Sequence, residues 1–406
     1  MPAMPVHPVA PEESGEKETK PGVLVLSRGG FGAPENAGLR VREYGDLDAL
    51  PPGYTDLLEA AGRDNLRWSR PWLAATIRYG ASLDKPPLLL GVENVAGVPL
   101  ALNVGFSTEH YAEASHCRAL ALQTGTEPYR PLVAAGLSPL EVLRVVARYA
   151  RGSDPPYDVL RISPLDSHGE LFKQLPPVLR AQGWIFQRFF MYPNWYEDVS
   201  GHDSAEYLRT RPSRLRNTIE RRTRNLEKSG RSRIEIVGST AALDTAIWDY
   251  ERVFGRSWKQ GLVEVPYQRA IMQVAAQAGA LRLALLYIDD APAAAQCWMV
   301  SGGVAYLHRL AYDERFGELS PGTVLSWQVI RHVLDADHVR ELDFGVGDDA
   351  YKADWVSGRR ERWGILAFNP RTLGGLKAAA VNLGGHAAKS VTRVILHPLL
   401  KRLRGS

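Results

Sequence analysis

The residues with the strongest chemical character lie in the second half of the chain, between Leu281 and Trp355. Three short apolar runs lead to Leu-Ser-Pro-Gly-Thr at 319–323, where a helix is predicted to begin. The next apolar run ends at 342–345, and an acidic, aromatic and lysine cluster follows at 347–352. A helix N-terminus presents backbone N–H groups that lack intrahelical acceptors, and such groups hold phosphates. The pattern predicts a phosphate-binding turn beside ionisable side chains, which is typical of group-transfer enzymes.

The turn at 320–323 is not specific by itself. Pro and Gly also mark ordinary turns and helix starts, so a structural role is the alternative. The preceding strand and the polar cluster after the next strand favour phosphate binding. The chain segment contains neither Gly-x-x-x-x-Gly-Lys-Ser/Thr nor Gly-x-Gly-x-x-Gly, which disfavours the nucleotide-binding loops built on those sequences.

Composition limits the class of protein. A chain of 406 residues is too long for one ordinary core, so two domains with tails are expected. The net charge of +4 is small for this length and does not by itself imply nucleic acid. Cys117 and Cys297 lack metal-type spacing, and we expect two buried thiols in a reducing compartment. No secretory signal and no run of 18 apolar residues occurs, so a cytoplasmic protein is expected.

Alternating predicted strands and helices indicate an α/β or α+β fold. Predicted strands cover 87–93, 99–106, 117–124, 157–163 and 184–191, and predicted helices cover 57–79, 139–151, 169–182 and 241–260. The expected units are a disordered leader at 1–36, an N-terminal domain at 37–200, a basic helical connector at 201–240, a C-terminal domain at 241–371 and a basic tail at 372–406.

Two segments of the chain repeat each other. Leu-Ser-Pro opens a predicted helix at 137–139 and again at 319–321, and Val-Leu follows at the same offset in both. The matching strand and helix context favours a duplicated fold over chance. Gly322 corresponds to Leu140, and glycine permits close approach of a ligand to the backbone. The second copy is therefore the predicted cofactor site.

The connector carries a cluster of arginines between Arg209 and Arg233. Leu215, Ile219 and Leu226 form a narrow apolar stripe, and Gly230 is a predicted stop signal. A solvated helix, contact with an anionic substrate or coenzyme phosphate, and RNA binding remain open for this face. The tail at 373–404 combines apolar and basic residues, so contact with the inner membrane face and a flexible tail are the alternatives.

The stretch from Gln296 to Trp355 resembles the GNAT acyltransferase superfamily, and within it the tandem-GNAT, CelD-like branch related to the FemABX aminoacyltransferases. The residues that carry the resemblance are Asp313, Ser320-Pro321-Gly322-Thr323, Asp343-Phe344, Gly347-Asp348, Tyr351-Lys352, Trp355, Arg214-x-Arg216-Asn217 and Ser257-Trp258-Lys259. The resemblance implies two tandem GNAT-like domains, each a mixed sheet flanked by helices. It also implies acetyl-CoA or another acyl-CoA as co-substrate, and no metal is expected.

The resemblance further implies where acyl-CoA binds. The pyrophosphate is expected on the backbone of 317–323, and the pantetheine arm along the strand near His308–Ala311, between splayed strands. The implied cofactor residues are Leu310, Ala311, Gly317, Leu319, Ser320, Gly322 and Thr323. Pro321 departs from the usual superfamily loop, because proline has no N–H to donate.

Transfer of an acyl group to an amine requires amine deprotonation, oxyanion stabilisation and protonation of the thiolate. Asp343 or His308 is the candidate base, Tyr351 the candidate acid, and Lys352 a candidate partner for a phosphate or carboxylate. Packing or capping roles are the alternatives for Asp343, His308 and Tyr351. The candidate substrate contacts are Trp258, Lys259, Arg216 and Trp355.

The resemblance predicts an acceptor that is a small-molecule or glycan amine, such as an amino sugar or amino acid of envelope or exopolysaccharide synthesis. One alternative is a FemABX-like enzyme that uses aminoacyl-tRNA, and nucleic acid is not expected otherwise. A non-catalytic GNAT-like accessory protein of polysaccharide synthesis is the other alternative.

Overall fold

A computed structural model describes residues 38–80, 87–109, 117–123, 125, 127–259 and 265–391, with residues 385–391 described by their backbone alone. The expected leader at 1–36 and the tail beyond residue 391 lie outside these ranges. The strands are β1 Arg40–Tyr44, β2 Pro87–Glu93, β3 Pro99–Thr108, β4 Ala119–Leu122, β5 Leu132–Val133, β6 Val159–Asp166, β7 Ile185–Asp198, β8 Ser232–Val237, β9 Leu281–Ile288, β10 Ala291–Ser301, β11 Val304–Tyr312, β12 Glu341–Val346 and β13 Gly358–Phe368.

The α-helices are α1 Gly53–Asp64, α2 Arg70–Gly80, α3 Pro139–Gly152, α4 Glu170–Ala181, α5 Ser204–Thr210, α6 Ser213–Ser229, α7 Leu243–Gly255, α8 Val265–Gln277, α9 Pro321–Asp335, α10 Lys352–Trp355 and α11 Leu373–Val391. Short 3-10 turns cover Leu66–Trp68 and Glu314–Leu319. Within the described ranges, no helix has both the length and the apolar character needed to cross a bilayer.

One mixed sheet runs through the molecule, and its strand order repeats. The order is β1-β2-β3-β4-β6-β13-β7-β12-β11-β10-β9-β8, with β5 paired to β3 at the side. Read from one edge, the first seven strands are β1, β2, β3, β4, β6, β13 and β7. Read from the other edge, they are β8, β9, β10, β11, β12, β7 and β13. The two halves therefore have the same strand order and are related by an approximate two-fold axis between β7 and β13.

The two halves exchange their last strands. β13 lies between β6 and β7, and β7 lies between β13 and β12. The β7–β13 pair is antiparallel and runs from the Tyr196–Gly358 pair to the Ile185–Phe368 pair. Each half of the sheet thus contains a strand that the other half of the chain supplies, and the central ladder depends on contacts that are distant in sequence.

Helices cover both faces of the sheet. On one face, α3 and α4 cover the first half, and α6 and α9 cover the second half. On the other face, α1 and α2 pack on the first half, α7 and α8 on the second, and α11 on β13. Leu66 and Trp72 from the first half share a core with α7 and α8, which joins the halves by apolar contact as well as by strand exchange.

The repeated Leu-Ser-Pro segments occupy equivalent places. They open α3, between β4 and β6, and α9, between β11 and β12. Ser138 caps α3 through a capping box with Glu141, which satisfies two backbone donors. Ser320 instead adopts a left-handed conformation with φ 54° and makes no side-chain cap. The duplication that the sequence predicts is therefore present in the fold, and the two turns differ in backbone geometry.

The structure confirms several predictions that were made from short stretches of sequence. Leu215, Ile219 and Leu226 are buried on α6, and Gly230 ends that helix in the left-handed conformation. Both cysteines are buried. The range predicted as a helical connector also contains a strand, β8, which forms one edge of the sheet. The strand predicted to end at residue 191 continues to Asp198, because its second part pairs with β12 and β13.

Candidate functional site

A cavity of about 580 Å³ lies at the centre of the sheet, on the face that carries α2, α7 and α11. Both halves of the chain line it. The first half supplies the 3-10 turn at Leu66–Trp68, the loop before β5 and the middle of β7, and the second half supplies β11, β12 and β13. Four elements each contribute a side chain that faces the cavity: Arg67, Asn194, Asp343 and Arg360.

The ladder between β11 and β12 is open beside the cavity. The two strands pair in parallel only from Val304–Glu341 to Tyr306–Asp343. β11 then contains a bulge, because Trp298 pairs with Leu307 and Cys297 pairs with Arg309, which leaves His308 as the extra residue. A bulge bends a strand away from its neighbour and redirects side chains. The seam between the strands therefore exposes backbone groups of β11 at the cavity wall.

The turn that opens α9 lies close to the aromatic ring of Tyr312. A Cβ on Gly322 would stand 3.4 Å from Tyr312 Cδ1, and one on Gly317 would stand 3.7 Å from Cε2 of the same ring. The rings of Trp258 and Tyr312 are in contact, with centroids 4.8 Å apart and planes inclined at 55°. Pro321 has no N–H to donate. The N–H groups of Thr323 and Val324 both donate to the Ser320 carbonyl. Few donors of this turn are left for a phosphate.

Asp343 is part of a buried polar network and not an isolated carboxylate. Its Oδ1 accepts from Asn194 Nδ2 and from the Gly345 N–H, both at 2.7 Å. Its Oδ2 forms an ion pair with Arg360 Nη2 at 2.8 Å. Arg360 also pairs with Glu341 at 2.7 Å. These contacts join β7, β12 and β13 at the strand exchange and occupy both oxygens of Asp343.

His308 is neutral in this site. Its Nε2 lies 2.9 Å from Gln268 Oε1, so the tautomer with the proton on Nε2 leaves Nδ1 as an acceptor. Burial lowers the pKa of His308 from 6.5 to about 3, and the charges of Arg67 and Arg309 act in the same direction. Protonation is therefore unfavourable, and His308 is a weak base.

Two lysines of the cavity are bound to backbone carbonyls. Lys352 is 2% exposed and donates to the Val346 carbonyl at 2.7 Å. Lys259 donates to the Leu310 carbonyl on β11 at 3.0 Å. Burial lowers the pKa of both amines, and the charge of Asp349 opposes that shift. Lys352 thus holds the loop after β12, and Lys259 lies against the open edge of β11.

Tyr351 stands at the mouth of the cavity with 39% of its surface exposed. Burial of the phenol, followed by the charge of Asp349, raises the pKa of Tyr351 well above its ordinary value. The hydroxyl is therefore protonated at neutral pH. A protonated phenol beside the seam has the state required of a proton donor.

The first half contributes an ion pair that the sequence analysis did not single out. Arg67 Nε lies 2.9 Å from Glu127 Oε1, and Asn65 Nδ2 donates to the other oxygen of Glu127 at 3.1 Å. The Arg67 guanidinium also stands over the ring of Tyr306 on β11, 5.1 Å from its centroid. These contacts bring the first half against the seam of the second.

Other lining residues were also missed, and one pattern in the sequence marks some of them. Asn194, Arg130, Arg360 and Arg362 line the cavity. Arg360 and Arg362 are two residues apart on β13 and therefore share one face, and charges on a buried face of a sheet require partners. Arg362 pairs with Asp166 at 2.9 Å. No comparable local pattern marks Asn194 or Arg130, since their position depends on pairing between distant strands.

The structure places six of the fifteen predicted site residues on the cavity, and Leu310 is the one implied cofactor residue among them. Asp343, His308, Tyr351, Lys352, Lys259 and Leu310 all line the cavity. Trp258 contacts Tyr312, and neither residue lines the cavity. Trp355 is 4% exposed and packs in the core under α9, where its carbonyl accepts from Tyr207 and Arg211. Arg216 lies on α6, on the opposite face of the sheet, and neither it nor Trp355 lines the cavity.

The cavity is cationic. Its lining contains seven cationic side chains and three carboxylates: Arg67, Arg130, Lys259, Arg309, Lys352, Arg360 and Arg362 against Glu127, Asp343 and Asp349. Glu341 and Asp166 pair with Arg360 and Arg362 from outside the lining, and with them included the formal charge is +2. A positive cavity attracts anions and disfavours a second positive charge. Among the described residues, no group of three or more His, Cys, Asp or Glu side chains has the arrangement of a metal site.

Comparison with known proteins agrees with this geometry. The family model described as Acetyltransferase (GNAT) domain matches residues 213–353. That range contains β8 to β12, the seam, α9 and the cluster at 347–352. A search of curated protein sequences gives no match.

Solved structures share the fold at low sequence identity. The crystal structure of FemX is 11% identical, covers 79% of this chain and 96% of that chain, and has a TM-score of 0.54. A conserved protein of unknown function from Bacteroides thetaiotaomicron VPI-5482 is 11% identical, covers 79% of this chain and 98% of that chain, and has a TM-score of 0.50.

The match to residues 213–353 and the repeated strand order support one conclusion on identity. The second half of the chain carries the matched domain, and the first half repeats its strand order around the exchanged strands. The chain contains, at residues 213–353, a domain that matches the GNAT acetyltransferase family, within a fold whose two halves share one strand order.

Proposed function

We propose that the protein transfers an acetyl or other acyl group from acyl-CoA to an amine, and that both substrates meet in the cavity between the halves. The observation that carries this proposal is the open seam between β11 and β12. It exposes β11 backbone groups beside the α9 turn and at the wall of the cationic cavity. An extended amide-containing chain can add to such an edge as a strand.

Acyl-CoA would lie along this seam in a single orientation, with its pyrophosphate and its acyl group at opposite ends. The α9 turn would take the pyrophosphate end, and the backbone from Leu307 to Leu310 would pair with the pantetheine amides. Lys259, which donates to the Leu310 carbonyl, stands where the arm would lie. The acyl group would then reach the part of the cavity near Asp343. Because the α9 turn leaves few free donors, we expect cationic side chains to supply much of the phosphate affinity.

The charge of the cavity favours the reactive form of an amine acceptor. Amine attack needs a free lone pair, and nearby positive charges lower the pKa of a bound ammonium group. The lowered pKa of His308 makes it a weak base, and both oxygens of Asp343 are occupied by hydrogen bonds and an ion pair, so we assign positioning roles to both residues. As the C–N bond forms and the C–S bond breaks, the attacking nitrogen loses one proton to water. The leaving thiolate takes one proton from a donor, which water then reprotonates. Tyr351 is protonated and stands at the mouth of the cavity, so it is the proposed donor.

The nature of the acceptor rests on the sequence resemblance alone. An amino sugar or amino acid of envelope or exopolysaccharide synthesis is the proposed class. Aminoacyl transfer from aminoacyl-tRNA is the second candidate, supported by the shared fold with FemX. A GNAT-like accessory protein without catalysis is the third, and the experiment below includes an outcome for each.

The first test is calorimetric binding of acetyl-CoA to the full chain and to two glycine variants. Gly322→Leu places in α9 the side chain that α3 carries at Leu140, and we expect acetyl-CoA affinity to fall at least about tenfold. Gly384→Leu is the matched control, because Gly384 is a helical glycine on α11 with nothing within 4 Å of an added Cβ. Its affinity should equal that of the unmodified chain.

The outcomes separate the candidates. Equal affinity of Gly322→Leu and Gly384→Leu for acetyl-CoA would contradict the proposed pocket. Binding of aminoacyl-tRNA without binding of any acyl-CoA would favour the second candidate. Binding of acyl-CoA without release of free thiol in the presence of an amine panel would favour the accessory role.

A further inference from the structure

Two arginines of the first half line the cavity and have N–H donors without acceptors. Arg67 is largely buried, with 13% of its side chain exposed, and its Nε pairs with Glu127. Within the described ranges, no hydrogen bond joins either terminal nitrogen of Arg67 to another residue. Arg130 is exposed and forms no ion pair with another described residue. A guanidinium can bind a carboxylate or a phosphate with two donors at once, so the first half presents anion-binding groups to the cavity.

Acyl-CoA does not account for the positive charge of the cavity. The formal charge is +2 even when the carboxylates that pair with Arg360 and Arg362 from outside the lining are included. The pyrophosphate of acyl-CoA is expected at residues 317–323, none of which lines the cavity. The pantetheine arm and the acetyl group, which would enter the cavity, are uncharged. The matching negative charge is therefore left to the second substrate.

An acid group on the acceptor also removes the repulsion that a simple amine would meet. Aliphatic amines are positively charged at neutral pH, and a cationic cavity opposes their entry. An amine that also carries a carboxylate or a phosphate is neutral or negative as a whole, so the same field does not repel it. Binding of the acid group then holds the ammonium group among positive charges, which lower the pKa of that ammonium group.

The position of Arg67 places such an acid group close to the expected site of transfer. The guanidinium stands over the ring of Tyr306, 5.1 Å from its centroid. Tyr306 pairs with Asp343 in the last pair of the β11–β12 ladder before the seam. Glu127, which pairs with Arg67, is three residues before Arg130 in the loop between β4 and β5. An acid bound by the two arginines would therefore lie at the end of the seam where the acyl group is expected.

We propose that the acceptor is an amine that also carries a carboxylate or a phosphate group, and that Arg67 and Arg130 bind this acid group. The inference rests on the proposed function, because it names the chemical class of the second substrate in the same cavity. Both arginines lie outside the range that matches the acetyltransferase family. The first half of the chain would thus select the acceptor, while the second half binds acyl-CoA.

The test is calorimetric titration of the full chain with CoA and then, at saturating CoA, with two pairs of amines. Phosphoethanolamine is compared with ethanolamine, and β-alanine with aminopropanol, so that the members of each pair differ in the acid group. We expect the acid-bearing amine of at least one pair to bind at least about tenfold more tightly than its neutral partner. A preference confined to one pair identifies the acid group as a phosphate or as a carboxylate.

Three variants test the two arginines. Arg130→Met should lower the affinity for the preferred acid-bearing amine about tenfold. Arg67→Lys keeps a positive charge beside Glu127 but loses the paired donors, so it should also lower this affinity. Arg63→Met is the matched control, because Arg63 is exposed in the last turn of α1 and does not line the cavity. Its affinity should equal that of the unmodified chain, and melting temperatures show whether each variant is folded.

Three results would overturn the proposal. The first is equal affinity of the two members in both pairs, or binding of none of the four amines to the CoA-saturated chain. The second is the same change in affinity for Arg130→Met and Arg63→Met. The third is an equal loss for both members of a pair in Arg67→Lys, which would show that Arg67 does not act on the acid group. A chain that does not bind CoA would contradict the proposed function itself, and the first titration shows that failure separately.

Discussion

The ion pair between Asp343 and Arg360 allows a quantitative prediction. The substitution Asp343→Asn removes the negative charge and turns an amide N–H₂ or a neutral oxygen towards Arg360. For charges 2.8 Å apart, an effective dielectric constant of about 20 gives an attraction of roughly 6 kcal/mol before desolvation. Breaking a buried pair by removing one partner costs about 3–5 kcal/mol. Because Glu341 still pairs with Arg360, we expect Asp343→Asn to lower the free energy of unfolding by about 2 kcal/mol.

The assay is urea denaturation of four proteins: the unmodified chain, Asp343→Asn, Arg360→Met and the double variant. If the two side chains stabilise the strand exchange together, the double variant should lose less than the sum of the single losses. Glu341→Gln is the matched control, because it removes the other carboxylate of the same guanidinium at a side chain 25% exposed. We expect it to lose less than Asp343→Asn.

Stability and turnover distinguish a structural role of Asp343 from a catalytic one. A loss below about 0.5 kcal/mol for Asp343→Asn, or strictly additive losses in the cycle, would refute the ion-pair reasoning. A fall in kcat of roughly a hundredfold or more with little change in stability would show that Asp343 acts directly on the reacting amine.

Three further predictions concern the other ionisable side chains of the cavity. Tyr351→Phe should lower kcat by roughly a hundredfold with little change in KM if the phenol protonates the thiolate. Tyr79→Phe is the matched control, because Tyr79 is 37% exposed and Tyr351 is 39% exposed, and its kcat should not change in the same steady-state assay. His308 has its folded-state pKa lowered from 6.5 to about 3, so its neutral form contributes stability above pH 6.5 that is lost as pH falls towards 3. Between pH 6.5 and 5 this loss should reach roughly 1–2 kcal/mol, and His308→Gln should flatten the urea-denaturation profile over that window; a parallel profile would contradict the burial argument. Lys352→Met should destabilise the loop after β12 by about 1–3 kcal/mol, because the Val346 carbonyl loses a charged donor, while Lys377→Met on the exposed face of α11 should cost little in the same denaturation experiment.

Local patterns in the sequence predicted much of the fold. Apolar alternation and Gly or Pro boundaries located β2, β3 and α3 to within a few residues, and the apolar stripe with Gly230 located α6. The repeated Leu-Ser-Pro segments predicted the duplication, because the same local sequence opens equivalent helices in both halves. These features depend on residues close together in the chain, where propensity and capping act.

The candidate site also contains some residues that the sequence located and others that only the fold brings together. Asp343 lies on β12, Tyr351 and Lys352 follow that strand, and His308 lies on the neighbouring β11. Adjacency in the sheet therefore places all four on one cavity. Arg67, Glu127 and Asn194 come from the other half of the chain. Their position follows from the exchange of β7 and β13, and a strand carries no local mark of which distant strand it will pair with.

The sequence by itself determined many of the helices and strands, the duplicated Leu-Ser-Pro segments and the cluster of ionisable residues after β12. It did not predict β8, the second part of β7, or the 3-10 turn that divides the helix expected at 57–79. Only the tertiary structure decided that β13 lies between β6 and β7, that Arg360 neutralises Asp343, and that a cationic cavity lies between the halves. The physical reason is that helix starts and strand patterns arise from neighbouring residues. The pairing of β7 with β13 joins residues more than a hundred positions apart, and it is selected by the free energy of the whole sheet. The charge pair between Asp343 and Arg360 joins two different strands, so it also depends on how the sheet is assembled.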